Sequence, residues 1–207
     1  MGSSSGNDMP PELRIVPANE AGCEDLQTVF GTRGVAATCQ CQRYKLPPKE
    51  SFSSFPTEER SFRLREQTDC GNPGSGTTSG LVAYLEDEPV GWCAVEPRSH
   101  YEGLVRVYRV PWEGRDEDKD DETVWAVTCL FTRAGRRRRG VSYALAKAAV
   151  DHARSAGARA LEAYPLLDSA ATILEDLHVG TRSVFAAAGF TEVTRPSKRR
   201  VVMRIDF

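Results

Sequence analysis

No stretch of this chain is apolar for long enough to cross a bilayer: the most hydrophobic segments, Tyr143–Val150 and Val184–Phe190, are too short or too interrupted. Net charge is equally scarce. Lys and Arg number 27 against 29 Asp and Glu, so no global basic field argues for nucleic acid, and only a local patch could carry that case. No internal repeat is visible, and no Cys-x-x-Cys pair or neighbouring His completes a zinc set around Cys39, Cys41 and Cys70. The first residues are small and polar and lack the apolar stretch of a secretory signal. With six scattered cysteines in a chain of this size, a disulfide framework is not expected, and Cys93 and Cys129 read as small buried thiols. These absences leave a cytoplasmic, metal-free globular protein as the default. Its 207 residues, 40% of them hydrophobic, can bury a core; residues 1–11 read as a loose tail or cloning remnant and 12–207 as one domain.

Periodicity supplies the elements. Leu13–Val16 is a short strand and Cys23–Phe30 a helix with an acidic start, followed by an irregular connection from Gly31 to Pro56. Glu58–Thr68 is a helix, and Cys70–Gly80 is a loop by composition. Leu81–Leu85 and Val90–Val95 spell a hairpin around Glu86-Asp87-Glu88-Pro89. Glu113–Glu122 is dense in carboxylates and reads as a solvated loop. Val124–Thr132 is the strongest strand. From Val141 the period switches: Val141, Leu145, Ala148, Ala149 and His152 share a helix face, and Gly157 closes the helix. Ala160–Tyr164 is a strand, Thr172–Leu177 and Arg182–Ala188 are helical, and Thr191–Thr194 and Arg200–Asp206 are a closing strand pair.

The chemistry concentrates at the junction Arg136-Arg137-Arg138-Arg139-Gly140-Val141-Ser142, where a strand turns into a helix. Free backbone N–H groups and the helix dipole make such a turn an anion site. Gly140 allows close approach, and the guanidiniums can pair with phosphate oxygens. Neither the P-loop nor the Gly-x-Gly-x-x-Gly spacing is present. Arg137-x-x-Gly140-x-Ser142 is similar instead to the Gln/Arg-x-x-Gly-x-Gly/Ala signature of the GNAT superfamily of acyl-CoA-dependent N-acyltransferases, with Ser142 a mild departure. Ser183-Val184-Phe185-Ala186-Ala187-Ala188-Gly189-Phe190 resembles that family's second cofactor-side segment. The resemblance covers residues 81–207 well and residues 12–80 only by position.

The resemblance implies an α/β fold with a mixed, mostly antiparallel central sheet that splays at the motif strand, flanked by helices. It implies acetyl-CoA as cosubstrate, no metal, and a cofactor site of Leu130, Phe131 and Thr132 for pantetheine with Arg137, Arg138, Arg139, Gly140, Val141 and Ser142 for the pyrophosphate. The expected reaction is direct acetyl transfer to a primary amine of a small molecule or protein in a ternary complex. Many relatives carry a Tyr where this chain has Phe185, so the proton-donor role moves, with Tyr164 as its candidate; Glu96 and Glu162 are candidate bases. His178 stands where an Asn is common. Trp92, Trp125 and Tyr101 are either core or cleft lining, with core preferred for the tryptophans. The acidic loop is a candidate for attracting a cationic acceptor. Neither nucleic acid nor membrane is expected as a partner, and a homodimer is left open. Two rivals remain: a CoA-binding regulatory module with reduced turnover, motivated by Phe185, and, more weakly, RNA binding through Arg136–Arg139.

Overall fold

The structure, a computed structural model, describes residues 12–52, 54–170 and 176–207. Seven strands form one sheet: β1 (Leu13–Pro17), β2 (Gly80–Leu85), β3 (Glu88–Pro97), β4 (Val124–Thr132), β5 (Ala160–Ala163), β6 (Thr191–Thr194) and β7 (Val202–Asp206). Their spatial order is β1-β2-β3-β4-β5-β7-β6. Neighbours run antiparallel except β4 and β5, which are parallel from Val124↔Ala160 to Val127↔Ala163. A parallel pair needs a crossover, and helix α5 (Val141–Ser155) supplies it.

Strand alternation divides the core into two layers. Leu81, Ala83, Cys93, Val127 and Leu130 face α5, meeting its Val141, Leu145, Ala149 and Ala153. Val82, Tyr84, Trp92, Ala94, Cys129 and Phe131 face the other way, onto Leu26, Val29 and Phe30 of α1 (Cys23–Phe30) and Leu64 of α3 (Thr57–Thr68). The crossover helix lies close against the sheet at Gly91, where a Cβ would come within 2.7 Å of Val141 Cγ1. Between β3 and β4 the register jumps from Ala94↔Cys129 to Val95↔Val127, so Thr128 is an extra residue, a bulge that bends β4.

Among the described residues there are also three short α-helices: α2 (Gly34–Cys39), α4 (Glu102–Val107) and α6 (Arg182–Ala187). Helices α2 and α4 fall in stretches without a readable period; each is six residues long, less than two turns. The helix expected over Thr172–Leu177 lies outside the described residues except at its end, where Asp176–Val179 is a 3-10 turn. Among the described residues no helix is long and apolar enough to cross a membrane. One expectation is corrected outright: Cys23 and Cys70 form a disulfide, their Cα atoms 5.1 Å apart, which ties the start of α1 to the loop after α3. They lie 47 residues apart in the chain, so spacing alone could not pair them.

Candidate active site

The pairing of β4 with β5 stops at Val127, whereas β4 continues to Thr132 on its β3 side. Cys129–Thr132 therefore present a strand edge that β5 does not cover, and a cavity of ≈430 Å³ lies along it. The splay follows directly from the bulge at Thr128 and the shortness of β5.

At one end the cavity reaches the N-terminus of α5. The first N–H that this helix uses is that of Ala144, bonded to Gly140 O at 3.0 Å, so those of Val141, Ser142 and Tyr143 belong to the unpaired first turn. Arg138 (φ 61°) and Gly140 (φ 77°) are both left-handed, curling the preceding loop into a concave nest. A Cβ at Gly140 would have no atom within 4 Å, so the approach is open. The Thr132 and Ser142 hydroxyls lie 3.1 Å apart and tie the strand end to the first helical turn.

The arginine run divides its labour. Arg133 and Arg136 clamp Glu88 at the start of β3, at 2.6 Å and 2.7 Å, and fix the loop. Arg137 and Arg138 line the cavity. Of the nine residues expected to hold the cofactor, Leu130, Phe131, Thr132, Arg137, Arg138, Gly140, Val141 and Ser142 line it together; Arg139 does not and is exposed to solvent.

The three candidate proton carriers are elsewhere. Glu162 is fully buried, and its carboxylate accepts from Arg98 at 3.0 Å, Arg204 at 2.9 Å and Arg115. Burial alone would raise its pKa, but hydrogen bonding and charge from Arg115, with Arg98 beside it, hold the carboxyl below its ordinary value. It is an ionised structural carboxylate. The Tyr164 hydroxyl donates to that same carboxylate at 2.9 Å, and its pKa is pushed far up by burial and then by the charge of Glu162. Glu96 is buried in an ion pair with Lys45, with His100 Nδ1 at 3.5 Å. None of the three lines the cavity. A buried carboxylate requires counter-ions, and here these come from sequence-distant arginines. Part of the acidic loop is committed too: Arg98 and Arg115 hold Glu117 within this network, and a separate pair joins Arg159 to Asp121 at 2.6 Å. Trp92 and Tyr101 are core residues, and Trp125 packs against His152.

Apart from Phe30 at the end of α1, the cavity's other wall comes from a segment read as an irregular connection. Phe30, Val35, Ala36, Cys39, Cys41, Arg43 and Tyr44 line it, facing His178, Gly180, Thr181 and Val184. Phe30 stacks on Phe131, with centroids 6.2 Å apart. Cys41 Sγ accepts the Trp92 indole N–H at 3.2 Å. The Tyr44 hydroxyl lies 3.2 Å from His178 Nε2, and the Tyr44 ring packs edge-on against Tyr108 at 4.7 Å. Phe185 turns away into the core against Phe190. The Cys-Gln-Cys-Gln-Arg-Tyr run at 39–44, rich in reactive side chains, was the available signal for this wall.

A strand edge is thus left open beside a bare helix N-terminus. The model of the acetyltransferase (GNAT) family matches residues 43–173. The chain belongs to the GNAT acetyltransferase family. Membership implies acetyl-CoA-dependent acetyl transfer. Solved structures with the same fold include a ribosomal-protein-alanine N-acetyltransferase from Brucella melitensis, 15% identical over 95% of this chain and 99% of that one, with a TM-score of 0.52. Another is yncA from Salmonella typhimurium with its cofactor acetyl-CoA, 13% identical over 94% and 93%, TM-score 0.53. A third is a GCN5-related N-acetyltransferase from Kribbella flavida, 14% identical over 94% and 98%, TM-score 0.52. No curated protein matches the sequence. At these identities the GNAT structures speak to the fold, and the acceptor must be read from this chain's own cavity.

Proposed function

We propose that residues 12–207 form one domain that moves an acetyl group from acetyl-CoA directly onto a primary amine within a ternary complex. The observation that carries this is the uncovered edge Cys129–Thr132 running into the unpaired first turn of α5, with Arg137 and Arg138 beside it. These residues fit the cosubstrate. Backbone groups of Leu130–Thr132 can pair with pantetheine amides as an added strand would. The N–H groups of Val141 and Ser142, the open space at Gly140 and two guanidiniums suit a pyrophosphate. A backbone N–H near Cys129–Leu130 is positioned to polarise the thioester carbonyl as its oxygen gains charge.

In the transfer, a C–N bond forms as the C–S bond breaks; the amine loses a proton to water and the sulfur requires one. We assign that donation to Tyr44. Tyr44 lines the cavity, and burial pushes its pKa above the ordinary phenol value, so it carries its proton at neutral pH. Contact with His178 orients it and offers a route for reprotonation. Most of the rate would come from holding amine and thioester together.

Phe185, which carries no hydroxyl where many relatives have one, favours a second reading as a CoA-binding module with little turnover. One experiment separates them: thermal shift with CoA, and thiol release from acetyl-CoA across an amine panel. Acetyl transfer requires both a shift and amine-dependent thiol release. A shift without release supports the module, and no shift overturns the cosubstrate assignment.

A further inference from the structure

We infer that the acceptor is a small apolar amine bearing its own carboxylate, and that Arg43 binds that carboxylate. This rests on the acetyltransferase reading of the same cavity and concerns the part of it that CoA leaves. Once the β4 edge, the α5 N-terminus and the wall from His178 to Val184 are given to CoA, the remaining lining is Phe30, Val35, Ala36, Cys39, Cys41, Arg43 and Tyr44. That set is apolar save for one fixed charge. An organic side chain packed there removes apolar surface from water on both partners.

Charge decides the rest. Among the described residues the cavity lining holds three arginines and no Asp or Glu. Arg137 and Arg138 belong to the turn before α5, whereas Arg43 belongs to the segment that also carries Cys41 and Tyr44. The guanidinium of Arg43 faces the ring of Phe52 at 5.9 Å and lies close to Tyr108, with no carboxylate partner among the described residues. A second cation, Arg200, is close enough to lower the pKa of Tyr44 against the rise from burial. A polyamine or aminoglycoside would bring several positive charges into a space that answers none of them. A carboxylate would find a planar fork of donors suited to it. Arg43 and its chain neighbour Tyr44 line the same cavity, so the anchor for the carboxylate and the proton donor face one bound molecule. The carboxylates once expected to recruit a cationic acceptor are partly committed: Glu117 to Arg98 and Arg115, Asp121 to Arg159.

The test compares kcat/KM for L-leucine and L-phenylalanine with that for their decarboxylated counterparts, 3-methylbutylamine and phenethylamine, and with spermidine. It is run on the wild-type chain, Arg43→Gln and Arg43→Glu, with CoA thermal shift recorded for each. The amino acids are expected to exceed their decarboxylated counterparts by about 10- to 100-fold, the range of one charge-assisted pair. Arg43→Gln should close that gap by raising KM for the amino acids, and Arg43→Glu should invert it, both with the CoA shift kept. Equal turnover of acids and simple amines, a preference for spermidine, or no turnover of any amine, each with the CoA shift intact, overturns the acceptor assignment and leaves the CoA seat standing. No CoA shift in the wild-type chain overturns both.

Discussion

Tyr44 and His178 meet across 134 residues of chain, hydroxyl to Nε2 at 3.2 Å, where the α2–α3 connection closes over the splayed sheet. Each belongs to a segment without a regular period, and the contact brings a protonated phenol to the cavity that the β4 edge opens. Tyr44 thereby holds a place that Phe185, buried against Phe190, cannot fill.

Tyr44→Phe removes the hydroxyl and keeps the ring packed on Tyr108. It should lower kcat by at least about 10²-fold, the lower end for a general acid, with the CoA-induced shift in melting temperature nearly unchanged. Wild-type kcat in the phenylalanine variant would return Tyr44 to a packing role.

Gly140→Glu should abolish CoA binding, because a carboxylate enters the anion site from a position with φ 77°. Gly140→Ala separates the two causes. Its methyl group meets no atom within 4 Å, so it pays only the left-handed backbone penalty, about 1–2 kcal/mol. Isothermal titration should find CoA affinity reduced modestly in the alanine variant and lost in the glutamate variant; equal affinities for both would displace the pyrophosphate from this turn.

The half of the site that was legible in the sequence is the half made of contiguous chain. Val124–Thr132 and Val141–Ser155 announce themselves by a change of period, and Gly140 with its arginines lies between them, so strand, turn and helix bring their own geometry. The candidate proton carriers are set by contacts from afar. Glu162 passes for a candidate base on a short strand until Arg98, Arg115 and Arg204, which lie 64, 47 and 42 residues away, are folded onto it. Nothing local to Tyr164 reveals that its hydroxyl is committed to that carboxylate. The Cys23–Cys70 bond and the Tyr44–His178 contact were hidden for the same reason: both are tertiary juxtapositions of residues that look unremarkable alone.

Reduction of Cys23–Cys70 should destabilise the fold without touching the cavity. Loop-closure entropy for a separation of 47 residues amounts to about 4 kcal/mol, as an upper guide. Thermal unfolding with and without reductant, together with the double variant Cys23→Ala/Cys70→Ala, measures it; the variant should match the reduced wild type and gain nothing from oxidation. Identical melting under both conditions would mean that the two thiols are not joined in solution. Because cytosolic reductants keep such pairs open, the same measurement sets how stable the chain is in a reducing compartment.

Glu162 sets the acid limit of the fold. Its folded pKa lies below the unfolded value, so its stabilising contribution is complete above the unfolded carboxyl range and is lost as pH falls through the folded pKa. Glu162→Gln leaves the Arg98, Arg115 and Arg204 guanidiniums without their central anion. Removing one partner of such a buried cluster costs about 3–5 kcal/mol. Tyr164→Phe deletes a single hydrogen bond to that carboxylate and should cost less, about 1.5–3 kcal/mol. Urea unfolding at neutral pH should rank the chains wild type, then Tyr164→Phe, then Glu162→Gln. Between neutral pH and the acid range, the wild-type chain should lose more stability than Glu162→Gln, since the variant has already forfeited the titrating group. Acetyl transfer per folded molecule should be retained in Tyr164→Phe, because its hydroxyl is committed to Glu162 and the residue does not line the cavity. A hundredfold fall in kcat at unchanged stability would instead restore Tyr164 as the proton donor and displace Tyr44.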